Sequence, residues 1–265
     1  NRPKDTTLSA LLRRQAKIAD PSGDDFVSKK RKRGAGKPPL LWFTSPVLPK
    51  DASLGIYRAV FTDSEQEDES SLVDTIRRKQ LAPAPQPKSA ALEDGGVRLP
   101  YTDIGPHYFL CMIGGGHFAA MIVALAPKVA KKHTGPDERS ATVIAHKTFH
   151  RYTTRRKQGG SQSANDAAKG AAHSAGSSLR RYNEAALTNE IRDLLAEWKS
   201  MIDTAELLFI RATGSTNRRT LFGPYEGQVL RHNDPRNRGF PFSTRRATQA
   251  ELMRSFVELT RAKVS

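Results

Sequence analysis

At 265 residues the chain can bury a core as one large domain with tails, yet 37% hydrophobic content and a mean hydropathy of −0.56 predict that part of it is disordered. Lys and Arg number 43 against 27 Asp and Glu, a net +16, which favours a polyanionic partner such as nucleic acid or the ribosome over a merely soluble basic protein. The lone cysteine, Cys111, excludes an intramolecular disulfide and a cysteine-rich zinc site, and no apolar run approaches the ~20 residues that span a bilayer.

Residues 5–19 carry Leu8, Leu11, Leu12, Ala16 and Ile18 at helical spacing and predict a short amphipathic helix. Lys29-Lys30-Arg31-Lys32-Arg33 follows, with Gly34, Gly36 and Pro38-Pro39 behind it; it reads first as a linker and second as an auxiliary RNA contact. Residues 1–39 are thus a helix and basic linker, and residues 40–265 the main domain. A start at Asn1 without methionine or signal-peptide pattern suggests an excised fragment. Leu40–Phe43 and Gly55–Phe61 read as buried strands. Between about 63 and 97 an acidic patch (Asp63, Glu65, Glu67, Asp68, Glu69), a helix around Leu72–Gln80 and a run of prolines predict a partly disordered insertion. That patch could compete with RNA for a basic face, but a solvated loop is the simpler reading.

His107–Ile113 and His117–Leu125 are apolar and strand-like, and Gly114-Gly115-Gly116 between them suits a hairpin turn. No Gly-Lys-Ser/Thr signature follows, so a phosphate cradle is disfavoured. Cys111 lies in the first run and reads as a buried small hydrophobe. A charged turn at Lys131–Arg139 precedes a strand opening at Ala141. Leu179, Tyr182, Ala186, Leu187, Ile191, Leu194, Leu195, Trp198 and Ile202 step by threes and fours and predict one long amphipathic helix capped by Ser177 or Ser178. Glu206–Arg211 is a buried strand, and Thr248 with Glu251 predicts a capping box opening a last helix. This order gives an α/β domain with a mixed β-sheet flanked by helices.

The chemistry concentrates in residues 146–162. Lys147, His150, Arg151, Arg155, Arg156 and Lys157 make a strand and its exit too basic for a core, because unpaired charges resist burial. They suit phosphate contacts, which position a nucleic acid without reading its sequence; the alternative is an exposed, solvated strand edge. Gly159, Gly160 and Ser161 then hinge a loop that presents Gln162. Glutamine is no general base at neutral pH, so its role there is geometric and electrostatic. His150 is a candidate proton-transfer partner, although a lone histidine is more often structural. Thr213-Gly214-Ser215-Thr216-Asn217-Arg218-Arg219 follows a buried strand; it either turns the chain into a helix or holds an anion there, with Arg218 and Arg219 on phosphate.

Gly159-Gly160-Ser161-Gln162 resembles the Gly-Gly-Gln tip of eukaryotic class-1 translation release factors. With His146–Tyr152 before it, Ser177–Glu184 after it and Ala212–Arg218 beyond, residues 100–262 resemble the Vms-type ribosome-quality-control factors, release-factor-like proteins with a zinc finger and ankyrin repeats. The resemblance implies the release-factor middle-domain fold, related to ribonuclease H, and places the zinc finger and repeats outside these residues. It also implies cleavage of peptidyl-tRNA near its 3′-CCA end on stalled large ribosomal subunits, with Gln162 catalytic. Partnership with a AAA segregase ATPase and, from the cytoplasm, recruitment to stressed mitochondria are implied as well. Release factors place Gln directly after two glycines, whereas in this chain Ser161 intervenes and shifts the amide by ~3.5 Å. That departure favours phosphodiester cleavage over ester hydrolysis of the peptidyl bond; a non-catalytic ribosome-binding adaptor is the third reading. The core strands are nearly free of Asp and Glu, with Asp103 standing alone, so the expected cleavage is metal-independent and needs no cofactor.

Overall fold

Two apolar runs joined by two residues with positive φ can only fold back on each other. Strands β3 (His107–Gly114) and β4 (His117–Ala124) form that hairpin, and its turn is Gly115 and Gly116, at φ 60° and 75°. Both angles belong to the left-handed region of the tight turn that matches strand twist, where a side chain would be strained. Gly114, expected in the turn, is instead the last strand residue. A computed structural model describes residues 37–82, 104–127, 141–152 and 175–265. The chain divides between Pro38 and Pro39 into two units, and the second, from Pro39 to Ser265, carries both sheets and their helices.

The hairpin is the middle of a five-stranded mixed sheet. Strand β5 (Thr142–His150) pairs antiparallel with β4, and β6 (Leu207–Ala212) pairs parallel with β3. The short β7 (Asn237–Arg238) lies parallel beside β6, giving the order β5-β4-β3-β6-β7. A smaller antiparallel sheet holds β1 (Leu40–Phe43), β2 (Leu54–Tyr57) and β8 (Lys263–Val264). Alternation along β3 sends Phe109, Cys111 and Ile113 to one face and Tyr108, Leu110 and Met112 to the other, so both faces must be covered.

The first face is covered by helices α3 (Ala175–Glu197) and α4 (Lys199–Asp203), through Leu187, Ile191, Leu195 and Ile202, with Leu221 of α5 (Ser215–Phe222) beside them. The second is covered by α6 (Gln249–Thr260), through Leu252, Phe256 and Leu259, together with Val60, Phe61 and Leu72. The expected α/β fold with a mixed sheet flanked by helices is the one observed, and Cys111 is buried in it with its thiol pKa raised by desolvation.

Several local expectations are corrected. The long helix breaks at Trp198, so Ile202 belongs to α4. It begins at Ala175, which places Ser177 and Ser178 inside it. Strand β2 ends at Tyr57 and Arg58–Val60 tighten into a 3₁₀ turn, while β1 is only partly buried. Thr248 Oγ1 accepts the Glu251 amide at 3.2 Å, but the Glu251 carboxylate turns to the Arg245 amide (2.8 Å) and the Arg254 guanidinium (2.6 Å), so the box is half-formed. A complete box forms instead at Thr62 and Glu65, opening α1 (Asp63–Glu67). The acidic patch is thereby structural: Asp63 pairs with Arg238 at 2.9 Å and Glu65 with Lys79 at 3.2 Å, the latter at the end of α2 (Leu72–Lys79). Residues 83–97 of the expected insertion, the helix at 5–19, the basic run at 29–33 and the turn at 131–139 lie outside the described residues.

Candidate nucleic-acid interface

The sheet has one end at which several chain segments meet. Strands β3 and β6 run parallel and finish together, β4 begins there after its turn, and β5, antiparallel to β4, brings His150 opposite His117. Two devices hold that end. Thr213, just past β6, donates from Oγ1 to the Ile113 carbonyl at 3.2 Å, and a Cβ on Gly114 would stand 2.7 Å from the same oxygen. The absent side chain at Gly114 is therefore what lets the turn after β6 sit against the hairpin.

Among the described residues strand β5 lies at the edge of the sheet, and His146, Lys147, Thr148 and His150 are exposed on it. Lys147 and Phe149 share a face, and the Lys147 ammonium lies 5.9 Å from the Phe149 ring centre, within reach of a cation–π contact. On the other face the His150 imidazole stacks on His117, with centres 4.0 Å apart and planes 23° from parallel. The pKa of His117 is lowered by partial burial first, then by His150 and Arg246, so positive charge is disfavoured on it.

Arg151 is not a free cation. Its Nε and Nη2 grip both oxygens of Glu190 on α3, at 2.9 and 2.6 Å, a bidentate pair that raises the arginine pKa and lowers that of the carboxyl. Its amide continues the strand by donating to the Gly116 carbonyl at 2.9 Å. One residue on, the Tyr152 carbonyl accepts the Asn183 side-chain amide at 2.9 Å. Strand β5 ends at His150, and the two residues that follow it, Arg151 and Tyr152, are both tied to α3.

Arg155, Arg156, Lys157, Gly159, Gly160, Ser161 and Gln162 lie outside the described residues. Arg218 and Arg219 are exposed on α5, which starts beyond Gly214 at φ 83°. Strand order sets them apart from the β5 residues: three strand spacings of ~4.8 Å put β6 about 14 Å from β5. Among the described residues Lys147, Arg218 and Arg219 are exposed and do not share a pocket lining. A cavity of about 670 Å³ lies at the opposite end of the sheet, lined by Tyr108, Leu125, Glu206 and the Glu65–Lys79 pair. Among the described residues no group of three His, Cys, Asp or Glu could hold a metal ion, and no helix is long and apolar enough to cross a membrane. Sequence reasoning passed over His117, which sat in an apolar run, and Arg246, which carried no motif. It also placed Leu179 and Tyr182 on the buried stripe, whereas both are exposed.

Known proteins resemble this chain in sequence and in fold. Residues 108–265 match the family model described as Bacteroidetes VLRF1 release factor. The chain is 49% identical over 154 residues, 58% of its length and 24% of the relative's, to tRNA endonuclease vms1 of Schizosaccharomyces pombe. It is 36% identical over 231 residues, 85% of its length and 33% of the relative's, to tRNA endonuclease VMS1 of Saccharomyces cerevisiae. The chain thus spans between a quarter and a third of these two curated relatives. In fold it resembles the solved Vms1 mitochondrial localization core, with a TM-score of 0.53 and 21% identity over 98% of this chain and 82% of that one.

Proposed function

This chain belongs to the VLRF1 release-factor family, and from that premise we propose that it cleaves peptidyl-tRNA near its 3′-CCA end on stalled large ribosomal subunits. The activity for which the relatives are named, tRNA endonuclease, supports the reaction class. The observation that carries the reading is the pair of ties beside the chain's departure from β5. Arg151–Glu190 and Asn183–Tyr152 fix the root of the segment that bears Arg155, Arg156, Lys157 and Gln162.

Cleavage of a phosphodiester needs a hydroxyl or water aligned on phosphorus, a route for its proton and stabilisation of the phosphoryl oxygens. Gln162 would align the attacking group from the hinge of Gly159, Gly160 and Ser161. Lys147 and the cations at 155–157 would neutralise phosphate, and Arg218 and Arg219 would hold a more distant stretch of backbone. Exposed at the end of β5, His150 would take or return the proton. The four long strands of the five-stranded sheet carry no Asp or Glu, which supports a route without a bound metal ion.

Labelled peptidyl-tRNA on stalled large subunits tests this directly. Loss of the terminal nucleotides, insensitive to chelator, is the expected result, and Gln162→Ala should abolish it with ribosome binding nearly unchanged. The family's description as a release factor favours one competing reading, hydrolysis of the peptidyl ester. Release of peptide from an intact tRNA would establish that reading instead, and binding without turnover would leave an adaptor. Recruitment from the cytoplasm to mitochondria under stress, with a AAA segregase ATPase as partner, belongs to the same proposal. The name of the similar solved core supports the mitochondrial part, and imaging of the tagged chain before and after mitochondrial damage would test it.

A further inference from the structure

The apolar stripe of α3 outruns the sheet beneath it. Leu187, Ile191, Leu194, Leu195 and Trp198 are buried, but Leu179 and Tyr182, nearer the start of the helix, are 54% and 65% exposed. The overhang is also cationic, with Arg180 and Arg181 between them in sequence. Asn183 ties it to the Tyr152 carbonyl, and the Tyr152 side chain is itself 48% exposed. The start of α3 therefore carries exposed Leu179 and Tyr182 one turn apart, Tyr152 tied beside them through Asn183, and Arg180 and Arg181 on the same turn, on a chain of net charge +16. Interface cores between proteins are depleted in charged residues. Grooves for single-stranded nucleic acid instead combine aromatic faces, on which any base stacks, with cations along the phosphates.

We propose that Tyr182, with Leu179 and Tyr152, forms a platform on which unpaired bases at an RNA 3′ end stack, while Arg180 and Arg181 hold their phosphates. The proposal rests on the reading of the chain as an RNA-end enzyme and adds to it the side chains that hold bases. Stacking and charge are separable, because an abasic strand keeps every phosphate and loses every π-face.

Fluorescence anisotropy with the whole chain, a short single-stranded RNA ending in CCA and its abasic counterpart tests this. The unaltered chain should prefer the base-bearing strand. Tyr182→Ala should weaken binding to that strand at least about fivefold, the low end of one stacked base. It should leave abasic binding and the salt slope alone, whereas Tyr182→Phe should bind as the unaltered chain does. Arg180→Ala with Arg181→Ala should weaken both strands and flatten the salt slope. Equal binding of the two strands by the unaltered chain, no binding at all, or a Tyr182→Ala variant that still prefers the base-bearing strand would each overturn the platform. Failure of the peptidyl-tRNA assay with this preference intact would remove the cleavage reading alone.

Discussion

At the end of the sheet His117, stacked on His150, is sensitive to pH. Partial burial, the neighbouring His150 ring and Arg246 all disfavour a proton on His117, so the unfolded chain binds a proton there more readily than the folded one. Stability linked to His117 is therefore complete above the ordinary histidine pKa and is lost as pH falls through it, levelling once the lowered folded value is passed. Urea unfolding at pH 7.5 and 5.5 should show this loss, and His117→Phe, which keeps a ring against His150, should reduce it. Glu190 titrates with the same sign at lower pH. Its pKa is depressed chiefly by the Arg151 hydrogen bonds, so what the pair contributes is present at neutrality and lost as pH drops through that depressed value. At neutral pH, Glu190→Ala should barely change the thermal midpoint, because the pair is partly exposed and screened. It should still slow single-turnover cleavage severalfold by freeing the root of the departing segment. A full loss of stability, or unchanged cleavage, would show that the ion pair does something else. That Arg151 would be basic and near RNA was readable from its neighbours in sequence. That it is held by a glutamate 39 residues away was not, since no local pattern encodes a partner at that distance.

At the scale of elements, the hairpin and the turn after β6 are coupled through small side chains. Gly115 takes φ 60° with nothing near its missing Cβ, so only backbone strain opposes substitution there. Gly115→Asn should be nearly neutral and Gly115→Val should cost about 1–2 kcal/mol, measured by chemical denaturation. Gly114→Ala is a different matter. Its Cβ would meet Thr213 Oγ1, and rotating Thr213 away gives up the bond to the Ile113 carbonyl, at about 1 kcal/mol. The runs of β3, β4 and β6 and the last helix were legible because apolar runs and periodicity write them directly, whereas the parallel pairing of β6 with β3 is set by topology. Helix ends were not. Ser177 and Ser178 looked like caps, yet small residues tolerated in a helix let α3 extend back to Ala175. Glu251 looked like half of a capping box, but Arg254 three residues on and the Arg245 amide claim its carboxylate. Leu179 and Tyr182 fit the helical period and still lie outside the core, because period says which face a residue takes and not where the sheet beneath it stops.

For the whole molecule the question is how many of the 43 Lys and Arg side chains are available to a polyanion. Several cations are spent internally: Arg151 on Glu190, Arg236 on Asp234, Arg238 on Asp63 and Arg254 on Glu251. Arg236 also donates to the carbonyls of Ile202, Asp203 and Ala205, bracing the corner between α4 and β6. Composition counts these side chains equally with Arg218 and Arg219, which stand exposed on α5. Only cations that neutralise phosphate release counterions, and each contact to a single strand contributes about 0.7 to the slope of log K against log salt. If Arg218 and Arg219 both grip RNA, replacing the two with alanine should reduce that slope by about 1.4 and weaken binding to every sequence alike. Replacing Arg236 should leave the slope untouched while lowering stability, since its charge is already matched and its hydrogen bonds are structural. Titrations of one RNA at several salt concentrations separate the two classes. An unchanged slope for the Arg218/Arg219 double variant would place the RNA on the β5 side of the sheet alone, about 14 Å away across three strand spacings.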